Sequence, residues 1–408
     1  MSKCRFCGTE LIHTFANLGM SPLSNSYLKK DQLNTKEEFY PLHAYACEKC
    51  FLVQLEEFES PKNIFSDYAY FSSYSESWLM HAKEYTEMMI KRFNIDASKY
   101  IVEIASNDGY LLKNFKEKHY NNVLGIEPAQ NIADIANKKG IKTISEFFGT
   151  KLADKLKSTC KADLLIGNNV LAHVPDINDF VEGMKVILSN EGIITMEFPH
   201  LLKLIEENQF DTIYHEHFSY LSLISVKKIF EKHNLKIFDV EELKTHGGSL
   251  RIYAKHKENT NLTVSENVEK VLNEELKSRL NKVESYRAFS EKIKKTKRNI
   301  LSFFIEAKNN EKIIVGYGAP AKGNTLLNYC GIANDFLDYT VDISPHKQGL
   351  YLPGSHIPIY SPDRIRETKP DYVIILPWNL KSEIVKQMNF IREWNGKFVT
   401  LIPSVEVF

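Results

Sequence analysis

The sequence lacks long hydrophobic runs, an excess of charge of one sign, and an apolar N-terminus. Lys and Arg total 52 and Asp and Glu total 52, so the formal net charge is zero and no general attraction to nucleic acid is expected. The sequence contains no run of about eighteen apolar residues, so we expect no transmembrane helix. The segment MSKCRFCGTE does not resemble a secretory signal. We therefore expect a cytoplasmic, monomeric protein that acts on a small molecule and binds neither nucleic acid nor membrane.

Cysteine is scarce and unevenly placed: of six cysteines, four lie in the first fifty residues. Cys4 with Cys7 and Cys47 with Cys50 form two C-x-x-C pairs, whose four thiolates suit tetrahedral Zn²⁺. A redox pair or free thiols are the alternatives, and a reducing compartment disfavours disulfides. Because four protein thiolates leave no open coordination position, we predict a structural zinc ion.

At 408 residues the chain is too long for one ordinary core. Residues 1–70 form the cysteine block, which we interpret as a zinc-binding module. Residues 71–260 alternate amphipathic segments with short apolar runs, which predict strands at 101–105, 123–126, 141–144, 164–166, 193–198, 237–240 and 252–254. Residues 261–408 begin with a stretch rich in Lys, Glu and Leu, which predicts one or two long, solvent-facing helices, and continue with a second alternating series. The predicted fold is α/β, with a central Rossmann-like domain and a second Rossmann-like domain at the C-terminus.

One predicted strand runs through a tight turn directly into a helix. The segment YIVEIASNDGYLL has a single glycine, Gly109, in this turn, and Glu127 ends the next strand about twenty residues on. Such a turn faces a ligand crevice, where the acid can accept hydrogen bonds from ribose hydroxyls. A pyrophosphate would need more glycine, so we predict S-adenosylmethionine (SAM), which has no phosphate; a turn without a ligand is the alternative. The expected SAM-binding residues are Glu103, Ser106, Asn107, Asp108, Gly109, Tyr110, Leu111, Glu127, Pro128 and Asn168.

Two other segments of this block present polar side chains at the predicted crevice. In LLIGNNVLAHVPD a buried strand ends at Asn168 and Asn169, and His173 follows on a turn or short helix. Ends of parallel strands face the ligand, so Asn169 and His173 are expected near the methyl acceptor; a satisfied polar side chain without a catalytic role is the alternative for His173. In HGGSLR the glycines would let backbone approach an anion or sugar, beside His246 and with Arg251 as a charged clamp.

The segment FDTIYHEHFSYLS places Tyr214, His215, Glu216 and His217 in consecutive positions. In an extended stretch Tyr214 and Glu216 would point one way and the two histidines the other, whereas in a helix the four would fan out. The spacing is not that of a H-E-x-x-H zinc site. Imidazole suits removal of a carbon-bound proton acidified by a carbonyl, so we favour acid–base catalysis over a loop that only caps the sheet.

The C-terminal series begins with GYGAPAKG, in which Gly316, Gly318 and Gly323 follow a strand. The spacing departs from the dinucleotide pattern, which argues against NAD and favours the diphosphate of a nucleotide-activated acceptor. Lys322 would supply a point charge to that phosphate at a helix N-terminus. Trp378, just past the strand DYVIILP, lies where a base could stack. A loop with only a scaffold role is the alternative.

Several of these motifs occur together and in order. They are CRFC and CEKC, GMSPLSNSYL, YAYFSSYSESW, EIASNDGYLL, YHEHFSYLS, HGGSLR and GAPAKGNTLLNY. Through these motifs the chain resembles the SAM-dependent C-methyltransferases of nucleotide-linked deoxysugars, and the resemblance covers essentially its whole length. The resemblance implies a dTDP-linked 4-keto-6-deoxysugar methylated at C3, or at C5 in some members. It also implies that the C4 ketone acidifies a neighbouring C–H bond, and that the enolate carbon takes the methyl group.

The resemblance further assigns roles by motif position. His217 would be the base. The side chains that orient it or stabilise the enolate would be Tyr214, Glu216 and His173. Those that enclose the acceptor would be Tyr70 and Tyr74 from the N-terminal side and Lys322 and Trp378 from the C-terminal side. Other interpretations of the sequence are an O- or N-methyltransferase, a zinc-knuckle binding or regulatory protein, and an NAD-dependent oxidoreductase.

Overall fold

Three β-sheets form the framework of the protein, whose computed structural model describes residues 2–60 and 76–408. Tyr70 and Tyr74 lie outside the described residues. In chain order the strands are β1 His13–Ser21, β2 Tyr40–Ala46, β3 Val53–Leu55, β4 Ile101–Ile104, β5 Val123–Ile126, β6 Thr143–Ile144, β7 Ala162–Asn168, β8 Leu188–Pro199, β9 Ser219–Tyr220, β10 Leu235–Leu243, β11 Ser249–His256, β12 Ile314–Tyr317, β13 Thr340–Val341, β14 Ile359–Tyr360, β15 Tyr372–Ile375, β16 Lys397–Thr400 and β17 Glu406–Val407.

Helices connect most of these strands. The α-helices are α1 Glu76–Phe93, α2 Leu112–Glu117, α3 Gln130–Lys138, α4 Thr150–Leu156, α5 Ile177–Ile187, α6 Leu201–Glu206, α7 Leu223–Lys232, α8 Glu266–Lys277, α9 Val283–Asn309, α10 Ala321–Cys330, α11 Arg364–Thr368 and α12 Lys381–Gln387. Short 3-10 turns lie at Lys30–Gln32, Leu171–His173, Phe210–Thr212, Thr245–Gly247, Trp378–Leu380 and Asn389–Trp394. Within the described part of the chain, no helix has the length and apolar character to span a bilayer.

The N-terminal sheet contains a strand from far along the chain. Its order is β1-β2-β3-β9 and every neighbouring pair is antiparallel. β9 pairs with β3 through Val53 opposite Tyr220 and Gln54 opposite Ser219. Next to this pair, the Leu55 N–H donates to the carbonyl of Phe218 at 3.1 Å. The cysteine block is therefore joined through a sheet to the residues that directly follow His217.

The middle sheet has the order β10-β11-β8-β7-β4-β5-β6. The five strands from β8 to β6 are parallel, and β11 runs antiparallel between β8 and β10. The direction of the strand order reverses between β4 and β7, and in doubly wound sheets ligands bind outside the strand ends at such a point. The strands predicted in this block are confirmed, although several extend further and β4 and β6 are shorter.

The C-terminal sheet is a second doubly wound sheet, with the order β14-β13-β12-β15-β16-β17. It is parallel except for β17, which pairs antiparallel with β16. Its own reversal of strand order lies between β12 and β15, which places the loops after these two strands at the ligand-binding edge.

The long helix α9 corrects one expectation from the sequence. It was expected to face solvent, but Tyr286, Phe289, Ile293 and Phe304 on one face are buried. Phe289 stacks on Phe15 of β1 with ring centroids 4.9 Å apart. Burying a side chain of this size contributes about 1.5–3 kcal/mol. α9 therefore packs the N-terminal sheet into the same core as the C-terminal domain.

Candidate functional site

The four clustered cysteines form a compact thiol site. Their Sγ atoms all lie within 4.8 Å of one another, with Cys4–Cys50 and Cys7–Cys47 both at 3.5 Å. A tetrahedral zinc with Zn–S bonds of about 2.3 Å requires S···S separations of about 3.8 Å, close to those observed. Hydrogen bonds with Cys47 and Cys50 lower the pKa of Cys4 to about 3, and Gln54 Nε2–H also donates to Cys4 Sγ at 3.2 Å. The donor set therefore fits a structural zinc ion.

The turn after β4 is held from the end of β5. Glu127 accepts the Asn107 N–H on Oε2 and the Ala129 N–H on Oε1, both at 3.0 Å. Ala105 and Asn107 both have positive φ, +56° and +48°, as does Gly109 at +78°. This strained backbone persists because the carboxylate of Glu127 fixes the turn in place. Glu127 can still accept hydrogen bonds, since each carboxylate oxygen has two lone pairs.

Buried polar atoms collect at the same sheet edge. Glu103 Oε2, Ser106 Oγ and both side-chain polar atoms of Asn168 have no hydrogen-bond partner within the described ranges. Burial and the nearby charges of Glu127 and Asp108 raise the pKa of Glu103 well above its usual range. Unpaired buried polar groups are costly, so such a group of them indicates a polar ligand. These donors and acceptors fit the amino acid and ribose portions of SAM.

The remaining residues expected at the SAM site border this edge. Asp108 forms an ion pair with Lys139 at 2.7 Å. Tyr110 and Leu111 are buried where α2 begins, and Pro128 is half-buried beside Glu127. The structure thus brings the residues of the predicted SAM turn together at one edge of the sheet.

The segment Tyr214–His217 is a turn, neither extended nor helical. The His217 N–H donates to the Tyr214 carbonyl at 2.9 Å, and the two rings lie 4.1 Å apart. Neither the alternation of an extended stretch nor the fanning out of a helix therefore applies, because the turn brings the first and fourth residues together. His215 instead faces the N-terminal sheet, with Nε2 at 3.2 Å from the Pro41 carbonyl.

The ring positions of two histidines are fixed by backbone carbonyls. His217 Nδ1 lies 3.0 Å from the Thr212 carbonyl and His173 Nδ1 lies 2.8 Å from the Glu216 carbonyl. A carbonyl only accepts, so both Nδ1 atoms carry hydrogen and both neutral rings have an unprotonated Nε2. The ring centroids are 4.7 Å apart. Burial lowers the pKa of His173 to about 4. Burial and then the neighbouring His173 lower the pKa of His217 well below its usual range.

Glu216 has a partner that the sequence did not single out. Asn25 Nδ2–H donates to Glu216 Oε1 at 2.6 Å. Burial raises the pKa of Glu216 to about 7, although the hydrogen bond from Asn25 opposes this rise. The signal for Asn25 was its place in GMSPLSNSYL, which supported the family resemblance without an assigned role.

The HGGSLR loop meets Asn169 and α1. Asn169 Nδ2–H donates to His246 Nε2 at 3.1 Å, and the His246 ring lies 5.2 Å from that of Trp78. Burial lowers the pKa of His246 to about 4. Arg251 is buried, and its Nε–H donates to Glu197 Oε1 at 2.7 Å. Asn169 and His246 therefore lie together, whereas Arg251 binds a carboxylate of the protein.

The C-terminal domain contributes a wall to the same region. Lys322 Nζ lies 4.4 Å from the centroid of the Trp378 ring and donates to Asn379 Oδ1 at 2.8 Å. Trp378 Nε1–H donates to Asp211 Oδ2 at 2.7 Å. Lys322 also acts electrostatically on His217. Asp211 was not predicted from the sequence, because the chemically distinctive residues of its segment, Tyr214 to His217, come after it.

The seven-stranded sheet, the turn fixed by Glu127 and the four-thiol site define a SAM-dependent methyltransferase with a zinc-binding module. A zinc binding domain model matches residues 4–65, a methyltransferase domain model matches residues 80–240, and a C-methyltransferase C-terminal domain model matches residues 244–403. C-methyltransferase NovU of Streptomyces niveus is 32% identical over 408 residues, which are 100% of this chain and 97% of NovU. The chain belongs to this C-methyltransferase family; SAM is its methyl donor and its zinc ion is structural.

Solved structures give weaker similarities. A SAM-dependent methyltransferase from Clostridium acetobutylicum ATCC 824 is 13% identical, covering 43% of this chain and 90% of that chain with a TM-score of 0.35. Magnesium protoporphyrin IX methyltransferase (ChlM) from Synechocystis PCC 6803 with bound SAM is 12% identical, covering 48% and 88% with a TM-score of 0.34. These scores are too low to bear on the function.

Proposed function

We propose that the enzyme methylates C3 of a dTDP-linked 4-keto-6-deoxysugar and that His217 is the base. The observation that carries this proposal is the Thr212 carbonyl, which takes the Nδ1–H of His217. The ring is thereby held as a neutral base with an unprotonated Nε2, next to His173 and Tyr214. A general base must be unprotonated and within reach of the proton that it removes.

The side chains around His217 support removal of a proton from carbon. His217 Nε2 takes the proton from the carbon beside the ketone, the C–H electrons form a carbon–carbon double bond, and the ketone oxygen becomes an oxyanion. Tyr214, with its ring 4.1 Å from that of His217, would stabilise this oxyanion with its hydroxyl. SAM supplies the electrophilic methyl group when bound. His217 afterwards releases its proton to solvent.

Glu216 and His173 would hold this arrangement in place. The Glu216 carbonyl accepts from His173 Nδ1–H, so the position of one residue fixes that of the other. Asn169 and His246 would contact the sugar, and Lys322 and Trp378 the nucleotide. Tyr70 and Tyr74 keep their predicted role at the acceptor, and Arg251, which pairs with Glu197 and Glu241, would act on it indirectly. A monomeric state and a cytoplasmic location also stay predictions.

Exchange of carbon-bound hydrogen tests the proposal. In deuterated buffer with S-adenosylhomocysteine, the wild-type enzyme should place deuterium at C3 of dTDP-4-keto-6-deoxyglucose, as followed by NMR. His217→Asn should lose both exchange and methyl transfer while its SAM affinity, measured by calorimetry, stays within about twofold of wild type. His215→Asn is the matched control, because this ring faces Pro41, and it should retain exchange.

The outcomes separate the alternatives. Deuterium at C5 would move the site of methylation, and methyl transfer without exchange would favour an O-methyltransferase, since an oxygen nucleophile needs no carbanion. Exchange that persists in His217→Asn would remove His217 from the role of base.

A further inference from the structure

A buried carboxylate links the middle and C-terminal domains beside the base. Asp211 is 0% exposed and lies in the 3-10 turn Phe210–Thr212. Its Oδ2 accepts the Trp378 Nε1–H at 2.7 Å, across 167 residues of sequence. Its Oδ1 has no hydrogen-bond partner in the part of the chain that the structure describes.

The Trp378 ring stands between this carboxylate and a cation. Lys322 Nζ lies 4.4 Å from the ring centroid, within the range of a cation–π contact. Burial lowers the pKa of Lys322, and the charge of Asp211 opposes that change. Burial raises the pKa of Asp211 to about 6, and the charge of Lys322 opposes that rise in turn. Each charged group therefore favours the ionised form of the other.

The position of Trp378 is further restricted by the loop that carries His246. Gln209 Nε2–H donates to the Gly247 carbonyl at 2.6 Å. Gly247 has φ +86°, and a Cβ placed on it would lie 2.5 Å from Trp378 Cη2. Only glycine leaves room for the indole here.

The same 3-10 turn also holds the base. Thr212, directly after Asp211, provides the carbonyl that accepts His217 Nδ1–H. Thr212 thus fixes the position of His217, and its neighbour Asp211 fixes the position of Trp378 in the C-terminal domain. A small displacement between such groups can lower a rate strongly.

We propose that Asp211 is a positioning residue that holds Trp378 and Lys322 as the anion-binding wall for the acceptor's diphosphate, in register with His217. The inference rests on the proposed function and deepens it, because it gives the contact between Asp211 and the C-terminal domain a role in binding the acceptor. Asp211 itself touches neither the reacting carbon nor the cofactor in this role. It acts through the indole, which it orients, and through the ammonium, whose charge it compensates.

Binding of dTDP and of inorganic pyrophosphate by calorimetry tests the inference on the full-length zinc-loaded enzyme. Asp211→Asn keeps an oxygen that can accept the indole N–H but removes the charge, and Trp378→Phe keeps a ring but removes the N–H. Both should weaken dTDP binding about tenfold, the size expected for a charge-assisted contact. SAM affinity should stay within about twofold. The acceptor KM should rise by a larger factor than kcat falls.

Two comparisons separate positioning from a general loss of structure. Asp239→Asn is the matched control: it changes a buried carboxylate that pairs with Arg92 away from this wall, and it should leave dTDP affinity unchanged. Because Asp211→Asn keeps an acceptor for the indole N–H and removes only the charge that acts on Lys322, the double variant of Asp211→Asn with Lys322→Gln should bind dTDP no more weakly than Lys322→Gln alone.

Several results would overturn the inference. Unchanged dTDP affinity in Asp211→Asn, strictly additive losses in the double variant, or an equal loss of SAM binding would each do so. If the wild-type enzyme binds dTDP and the variants bind it equally well, the inference fails and the proposed function stands. If wild-type enzyme binds neither dTDP nor pyrophosphate, both fail.

Discussion

Loss of the zinc ion should abolish methyl transfer while leaving SAM bound. The perturbation is Cys47→Ala, which removes one of four thiolates whose Sγ atoms lie within 4.8 Å of one another. Structural zinc contributes on the order of 10 kcal/mol to small modules near neutral pH. A whole domain has a free energy of unfolding of about 5–15 kcal/mol, so the zinc-binding module should unfold when the zinc ion is lost.

A chain of contacts connects the zinc site to the candidate active site. Gln54 donates to Cys4 Sγ and lies opposite Ser219 of β9, two residues after His217. Unfolding of β3 would therefore remove the pairing that holds the end of the Tyr214–His217 turn. A displacement of about 1 Å at a catalytic group can cost about 10²-fold in rate, so we expect kcat to fall by at least that factor.

Three measurements on the same preparation check this prediction: zinc content by atomic emission, SAM affinity by calorimetry, and kcat. The residues predicted to bind SAM lie on β4, β5 and β7 and their loops, away from β3. Cys160→Ala is the matched control, because Cys160 is a buried cysteine outside the cluster, and it should retain zinc and activity. A zinc-free Cys47→Ala enzyme with wild-type kcat would refute the reasoning, and so would a parallel loss of SAM binding.

Two further predictions concern stability and pH. Ala105 has φ +56°, a conformation that costs a non-glycine residue about 1–2 kcal/mol, whereas glycine adds about 0.5–1 kcal/mol of chain entropy cost. Ala105→Gly should therefore raise the free energy of unfolding by up to about 1 kcal/mol in denaturant titrations, and a decrease would contradict the assigned strain. Burial and His173 hold the pKa of His217 well below the usual range, so its neutral form persists as pH falls and the imidazole limb of kcat/KM should lie below the ordinary imidazole value. Glu216, with a pKa of about 7, should add a limb near neutrality that disappears in Glu216→Gln; an imidazole limb at the ordinary value of about 6.5 in that variant would be inconsistent with a desolvated base.

The SAM turn was predictable because its contacts are local and periodic. The spacing between Asn107 and Glu127 follows from one strand, one turn and one helix, and the structure joins these two residues by a hydrogen bond of 3.0 Å. The cysteine pairs were predictable for the same reason, since C-x-x-C spacing places two ligands on one loop. In both segments the chemistry depends on residues that are close in sequence.

The contacts of Asn25 and Asp211 could not be predicted in this way. Asn25 meets Glu216 across 191 residues, and Asp211 meets Trp378 across 167. Neither pair has a spacing rule, because each depends on how separate domains pack. The turn at Tyr214–His217 was missed for a related reason: β9 begins two residues later and pairs with β3, so the sheet of another block determines where the chain bends.

The face of α9 is a different kind of error. The composition of residues 265–309 is rich in Lys and Glu, which favours a solvated helix, but Phe289, Ile293 and Phe304 recur on one face and are buried. Periodicity was the better guide, since a helix needs only one apolar stripe to pack against a core.

The candidate active site therefore belongs to no single domain. The methyltransferase domain model ends at residue 240, yet the segment around His217 is held by β3 of the zinc-binding module, by His173 of the middle domain and, through Asp211, by Trp378 of the C-terminal domain. SAM binding needs only the strand ends of the middle sheet. Removal of a proton from carbon needs a base and an acceptor fixed relative to each other, and in the proposed mechanism three packed modules would set that relation. We therefore expect the two additional modules to be what permits chemistry at carbon, which the SAM-binding fold alone does not provide.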